Sequence, residues 1–202
     1  RYNLGASGIP GRTLGEHQPD KGTYVGDSVF DGDTELRGII AKRYRRGIGE
    51  VALTASASEA NFLVFYTFLR KGGGVLVERP SYEPLMRLGE FLGARIRWLD
   101  RRFDDRYGID LEALKRQVKR TRLVVLTNLH NPSGVAMKPE TLKAVAEIAG
   151  DAGAHVLCDE IFRDFAQETT RPAVDCGGNC IVTCSLSKFF GFGGLRLGWA
   201  IA

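Results

Sequence analysis

Lys188 follows the apolar run CIVTC (180–184) in the stretch SLSKFFGFGGLRLGW, and Arg196 comes eight residues later among glycines. A lysine amine that is to attack a carbonyl has to be held in a partly dry pocket where it can shed its proton. Asp159 closes a second apolar run, AHVLC (154–158), while Asn128 and Asn131 follow a third, RLVVLT (122–127). A carboxylate leaving a buried strand suits a pyridinium, and an asparagine amide suits a phenolic oxygen. Arg196 with the hydroxyls of Ser185 and Ser187 suits a phosphate. Ser56, Ala57 and Ser58, in LTASAS, precede a helical pattern whose free backbone amides would attract the same dianion. Taken singly, each residue has a plainer reading: a solvated lysine, a carboxylate capping the next turn, a serine at a helix start. For Lys188 it is the flanking SLS and R-x-G-W that outweigh it.

These groups meet only if the runs that carry them are neighbours. VALT (51–54), GVLVE (74–78), ARIRWL (94–99), RLVVLT, AHVLC, CIVTC and LRLGWAIA (195–202) read as strands, several of them apolar on both faces and therefore central. Between them ASEANFLVFYTFLR (57–70), EPLMRLGEFLG (83–93), DLEALKRQVKR (110–120) and KPETLKAVAEIAGDAG (138–153) show helical spacing with start and stop signals. Strand and helix alternating at this pitch give an α/β fold with a doubly wound, mostly parallel sheet flanked by helices. Such open sheets bind ligands beyond the carboxyl ends of their strands, which is where the polar residues above fall. Upstream, residues 1–31 form a Gly-rich N-terminal arm and TELRGIIAKRYRRG (34–47) an amphipathic helix, so a cofactor-binding domain is expected over 32–202.

Composition narrows the function classes. Lys and Arg (28) and Asp and Glu (24) are interleaved rather than gathered on a stripe, and the net charge of +4 is mild, so nucleic acid is not an expected partner. The apolar runs are strand-sized and no charged-then-apolar leader is visible, so neither membrane association nor export is expected and the chain reads as cytoplasmic. Cys158, Cys176, Cys180 and Cys184 lack the C-x2-C pairs of zinc and iron–sulfur sites and read as structural thiols in or beside buried strands, with no metal expected. His130, next to Asn131, reads as structural too.

With a lysine for the aldehyde, a carboxylate for the ring nitrogen and a cradle for the phosphate, every part of pyridoxal 5'-phosphate has a partner. Six motifs in order, GDTELR (32–37), TASASEAN (54–61), the aromatic of RPSYEP (79–84), NPSG (131–134), DEIF (159–162) and SLSKFFGFGGLRLGW, resemble the large domain of fold-type I enzymes of the class I/II aminotransferase family over about residues 32–202. The resemblance implies that Lys188 forms a Schiff base with the cofactor and then moves the substrate α-proton. It implies that Asp159 keeps the ring nitrogen protonated, that Asn131 bonds the 3-oxygen, and that Tyr82 stacks on the ring. The phosphate falls to Ser56, Ala57, Ser58, Ser185 and Arg196. The segment GASGIP, with Gly8, is similar to the one whose backbone approaches the substrate in the family, where Asn131 also belongs. The family implies an amino acid substrate, a 2-oxo acid co-substrate and a homodimer.

Three departures matter. Where the family has a tyrosine three residues after the ring aspartate, this chain has Phe162, which removes one hydrogen bond to the 3-oxygen. Where the family has a tyrosine ahead of GDTELR that reaches the partner's phosphate, this chain has Asp27. Family members also continue into a small C-terminal domain carrying the arginine that grips the substrate carboxylate. That domain is absent from these 202 residues, which are then one segment of a longer protein or have the domain supplied otherwise. The SGI segment and the G-D-S stretch resemble capreomycidine synthase-like enzymes, which cyclise a hydroxylated arginine, and Phe162 is similar to the residue in PLP-dependent arginine oxidases. An aminotransferase is the expected activity, with a cyclase, lyase or oxidase of an arginine-derived amino acid as the alternative.

Overall fold

The computed structural model describes residues 7–17 and 33–202, apart from the side chains of Leu14, Gln167, Glu168 and Thr169. Helix α1 (Thr34–Tyr44) leads into strand β1 (Val51–Thr54), helix α2 (Ala57–Leu69), strand β2 (Gly74–Arg79) and helix α3 (Glu83–Phe91). Strand β3 (Arg95–Asp100), helix α4 (Leu111–Gln117), strand β4 (Thr121–Thr127), helix α5 (Pro139–Asp151) and strand β5 (His155–Asp159) follow. Strands β6 (Cys180–Ser185) and β7 (Gly198–Ile201) come last. Local signals start the helices: the side chains of Asp33, Ser56 and Asp110 accept from the backbone N–H of Leu36, Glu59 and Ala113, and Pro139 opens α5.

The seven strands form one sheet in the order β1-β7-β6-β5-β4-β2-β3. Pairs from β3 through β6 are parallel, while β7 runs antiparallel to both β6 and β1. Each central strand serves two cores because its side chains alternate. Val124 and Leu126 of β4 pack with Leu114, Leu142 and Val145 of α4 and α5, while Leu123 and Val125 pack with Phe65 and Leu69 of α2 and Leu85 of α3.

Several expected elements, α4 (Leu111–Gln117, expected over 110–120) among them, are shorter than the sequence suggests. Strand β7 begins at Gly198 rather than 195, because Gly193–Leu195 form a 3-10 turn and Arg196 adopts a left-handed conformation (φ 51°) that ends it. Helix α1 stops at Tyr44, where left-handed Arg45 (φ 54°) breaks it, and it buries only Ile40, Ala41 and Tyr44 while Ile39 stays 61% exposed. Its apolar face is therefore narrow. No helix among the described residues is long and apolar enough to cross a membrane. Asp27 and most of the arm over 1–31 lie outside the described residues.

Candidate active site

Strands β4, β5 and β6 are neighbours, and their carboxyl ends deliver Asn131, Asp159 and Ser185 to one side of the sheet. Register makes this specific: Thr127 stands opposite Asp159, and Asp159 opposite Thr183. There they meet the start of α2, the loop between β6 and β7, and Tyr82 at the start of α3. The result is a cavity of about 230 Å³ lined by Ser56, Ala57, Ser58, Tyr82, Asn131, Asp159, Ser185, Lys188 and Arg196, together with Ser7, Thr127, Ile161, Phe162 and Ser187. All nine residues expected from the sequence to bind cofactor thus face one space. Gly8 borders an adjoining hollow of about 330 Å³ that shares Ser7, Asn131 and Phe162.

One end of the cavity suits a dianion. Ser56 caps α2, its side chain accepting from Glu59 N–H (3.1 Å), so the free amides of that helix open toward Ser58. The Ser185 and Ser187 hydroxyls are 2.7 Å apart. The Arg196 guanidinium donates to the Gly193 carbonyl (2.9 Å) and pairs with no carboxylate among the described residues. Strand β7 passes so close beneath this helix start that a Cβ at Gly198 would come within 2.3 Å of the Ser56 carbonyl carbon.

The other end is a buried carboxylate. Asp159 accepts from Asn61 Nδ2 (2.8 Å) and from the Ile161 N–H (3.0 Å). Burial pushes its carboxyl above the ordinary aspartate range, and the Asn61 and Ile161 hydrogen bonds draw it back. Its bond to Ile161 is the turn-capping role a plainer reading would give it.

Lys188 lies between the two ends. Its Nζ donates to the Ser7 hydroxyl (2.9 Å) and sits 6.0 Å from the centre of the Phe162 ring. The N-terminal segment is laid on this loop by backbone bonds from Ile9 N–H to the Lys188 carbonyl (3.1 Å) and from Arg12 N–H to the Gly191 carbonyl (3.2 Å). Gly8 allows the approach: its φ is +122°, and a Cβ there would stand 3.1 Å from the Lys188 carbonyl oxygen.

Behind the cavity a buried polar network holds the Asn131 loop. Glu78 accepts from the Thr127 hydroxyl (2.6 Å) and pairs with Arg101 (2.7 Å), both side chains fully buried, and the Thr127 oxygen accepts from the Asn131 N–H (2.9 Å). Burial raises the Glu78 carboxyl to about 6 against the pull of Arg101 and Thr127. His130 is structural, as its sequence context suggests, with Nε2 on the Pro80 carbonyl (2.9 Å) and Nδ1 on the Ser133 hydroxyl (2.6 Å). Burial and the nearby Arg101 lower its imidazole to about 4, so the neutral ring donates through Nε2 and accepts at Nδ1.

Ser7, Asn61, Thr127 and Glu78 are site residues that sequence patterns do not single out. Asn61 lay inside a recognised motif, but its partner is 98 residues away, and that of Ser7 is 181 away.

Comparisons with known proteins agree with this fold. The family model described as aminotransferase class I and II matches residues 18–202, beginning upstream of the expected start at 32. The chain is 31% identical to capreomycidine synthase of Streptomyces vinaceus over 216 residues, covering 100% of this chain and 55% of that protein. It is 30% identical to a probable aspartate aminotransferase of Methanocaldococcus jannaschii over 151 residues, covering 74% of this chain and 40% of that protein. A PLP-dependent aminotransferase from Streptococcus suis 89-1591 superposes with a TM-score of 0.89 at 26% identity, covering 97% of this chain and 56% of that one. The PLP-dependent cyclase OrfR does so with a TM-score of 0.85 at 29% identity, covering 98% and 55%. The chain spans about half the length of the curated relatives it matches.

Proposed function

The chain belongs to the aminotransferase class I and II family, and on that premise we propose that the complete protein is a pyridoxal 5'-phosphate-dependent aminotransferase acting on an α-amino acid. The observation that carries this is one cavity lined by an amine (Lys188), a buried carboxylate (Asp159) and, at its far end, a hydroxyl-and-guanidinium cradle. The residues fit the cofactor that the family implies: the cradle matches a phosphate, and Lys188 and Arg196 offset its charge.

When bound, pyridoxal phosphate supplies a carbonyl that takes up the amino group and a ring that draws electrons away from the substrate α-carbon. Lys188 would hold the cofactor through its Nζ, and the same amine would carry the substrate α-proton. Asp159 holds a proton on the ring nitrogen, and Asn131 donates to the 3-oxygen. Tyr82 covers the ring face, and Ser56, Ala57, Ser58, Ser185 and Arg196 hold the phosphate. Gly8 and Asn131 face the substrate. At the place of the family's tyrosine, Phe162 offers an apolar ring with no hydroxyl for the 3-oxygen. We assign residues 1–31 to an N-terminal arm and 32–202 to the cofactor domain of a cytoplasmic homodimer, whose second substrate is a 2-oxo acid.

A second reading, a cyclase, lyase or oxidase working on an arginine-derived amino acid without net transfer, is favoured by Phe162 and by similarity to capreomycidine synthase along the whole chain. A single-turnover experiment on the full-length, cofactor-loaded protein with pooled amino acids separates the two. One equivalent of 2-oxo acid per site without free ammonia means transfer; ammonia, peroxide or a cyclised product means the second reading. Lys188→Ala should abolish turnover, and borohydride should no longer fix the cofactor to the chain; normal turnover in that variant would sink both readings.

A further inference from the structure

Helix α2 covers one face of the sheet, and its pattern changes from apolar to polar at one place. Val64, Phe65 and Leu69 lie in the cluster that holds Leu157 of β5 and Ile181 of β6. Two residues further along those strands, on the same face, come Asp159 and Thr183, opposite one another in register. One turn nearer the start of α2, Asn61 meets them both. It is 2% exposed, its Nδ2 donates to Asp159 Oδ2 at 2.8 Å, and its Oδ1 accepts from the Thr183 hydroxyl at 2.6 Å.

The chemistry of this chain of three is restrictive. An ionised carboxylate can only accept, so the amide must turn its NH2 toward Asp159. Its oxygen then needs a donor, and the Thr183 hydroxyl provides one. Turned the other way, the amide would set oxygen against oxygen unless Asp159 carried a proton. We propose that Asn61 is a positioning residue that, locked by Thr183, holds Asp159 ionised and aimed at the cavity. The same helix would then serve both ends of a bound cofactor, with Ser56–Ser58 at the phosphate and Asn61 behind the ring partner. That second statement rests on the assignment of Asp159 to the ring nitrogen.

Other charged and titratable groups near Asp159 do not replace the relay. Glu160 is paired with Arg163 (2.7 Å), Lys188 donates to Ser7, and Arg196 donates to Gly193. Cys158 and Cys184 are buried thiols, and Tyr82 stands at the rim. Among the described residues, Asn61 is the side chain that hydrogen-bonds this carboxylate.

The test is the titration of Asp159 in the cofactor-free, full-length protein carrying carbon-13 carboxyl-labelled aspartate, its signal assigned by its loss in Asp159→Asn. Asn61→Leu should raise the midpoint by roughly one to two pH units, the worth of one hydrogen bond to a charged group. Thr183→Val should raise it less, and Thr183→Ser should restore the native midpoint. A folded Asn61→Leu protein with an unmoved midpoint overturns the proposal; if that variant does not fold, an unmoved midpoint in Thr183→Val does so. Loading each protein with ring-nitrogen-15 pyridoxal phosphate then tests the reading beneath it. A pyridinium signal that moves toward pyridine in Asn61→Leu supports both. A shifted Asp159 midpoint with an unchanged ring signal leaves the relay standing and removes the ring-nitrogen role.

Discussion

His130 illustrates how one side chain near the site couples to its surroundings without taking part in the chemistry. Buried and neutral between Pro80 and Ser133, it resists a proton down to about pH 4, whereas in an unfolded chain it accepts one at about 6.5. A basic group depressed by folding contributes stability that is complete above the unfolded value and is lost as the pH falls toward the folded one. Glu78 works in the opposite sense, since its raised carboxyl makes the fold less stable as pH rises from about 4.5 to about 6. Urea unfolding of the full-length protein and of His130→Gln at pH 7 and pH 5 should separate them. The wild type should lose about 2 kcal/mol more than the variant on that descent. Equal losses would place a proton on His130 in the fold. At this scale the sequence was informative about residues that end strands, because an apolar run names the polar group that follows it. It was silent about Ser7, Asn61 and Glu78, whose significance arises only when distant segments are brought together.

Elements show the same division. Strands β2, β4 and β6 were legible as apolar runs because they are covered on both faces, and α2 and α5 were legible from spacing and start signals. The start of the strand within LRLGWAIA was not, since a left-handed arginine carries no mark in composition. What the sequence also could not display is how closely β7 passes beneath the first turn of α2. A Cβ at Gly198 would lie 2.3 Å from the Ser56 carbonyl carbon and 2.6 Å from the Ala57 nitrogen, both backbone atoms that cannot step aside. Gly198→Ala should therefore destabilise the full-length protein by about 1–3 kcal/mol, seen as a lower melting temperature, and should weaken cofactor binding by displacing the phosphate cradle. An unchanged melting temperature and affinity would mean that the helix start is free to shift.

For the molecule as a whole, the sheet and its two cores predict which groups solvent can reach. Cys158, Cys180 and Cys184 sit in buried strand positions, and Cys176 is only partly covered. Burial raises all four thiols, Cys180 to about 12. Brief alkylation of the native full-length protein at pH 8, followed by peptide mapping, should label Cys176 ahead of the other three. Equal labelling before denaturation would contradict the packing of β5 and β6. The doubly wound, mostly parallel architecture was legible from alternation alone, whereas the strand order and the antiparallel insertion of β7 were not, because neither direction nor neighbours leave a local signal.

That insertion also sets an order of assembly. Val51 of β1 pairs with Ile201 of β7, and Ser185 of β6 with Gly198, so among the described residues β1 joins the sheet through a strand made 150 residues later. On the ribosome, β1 and α2 are finished early and wait until β7 emerges. The loop bearing Lys188 and Arg196 is pinned at both ends by the same event. The geometry that brings Lys188 and Arg196 to one cavity is therefore complete only once synthesis has passed residue 201.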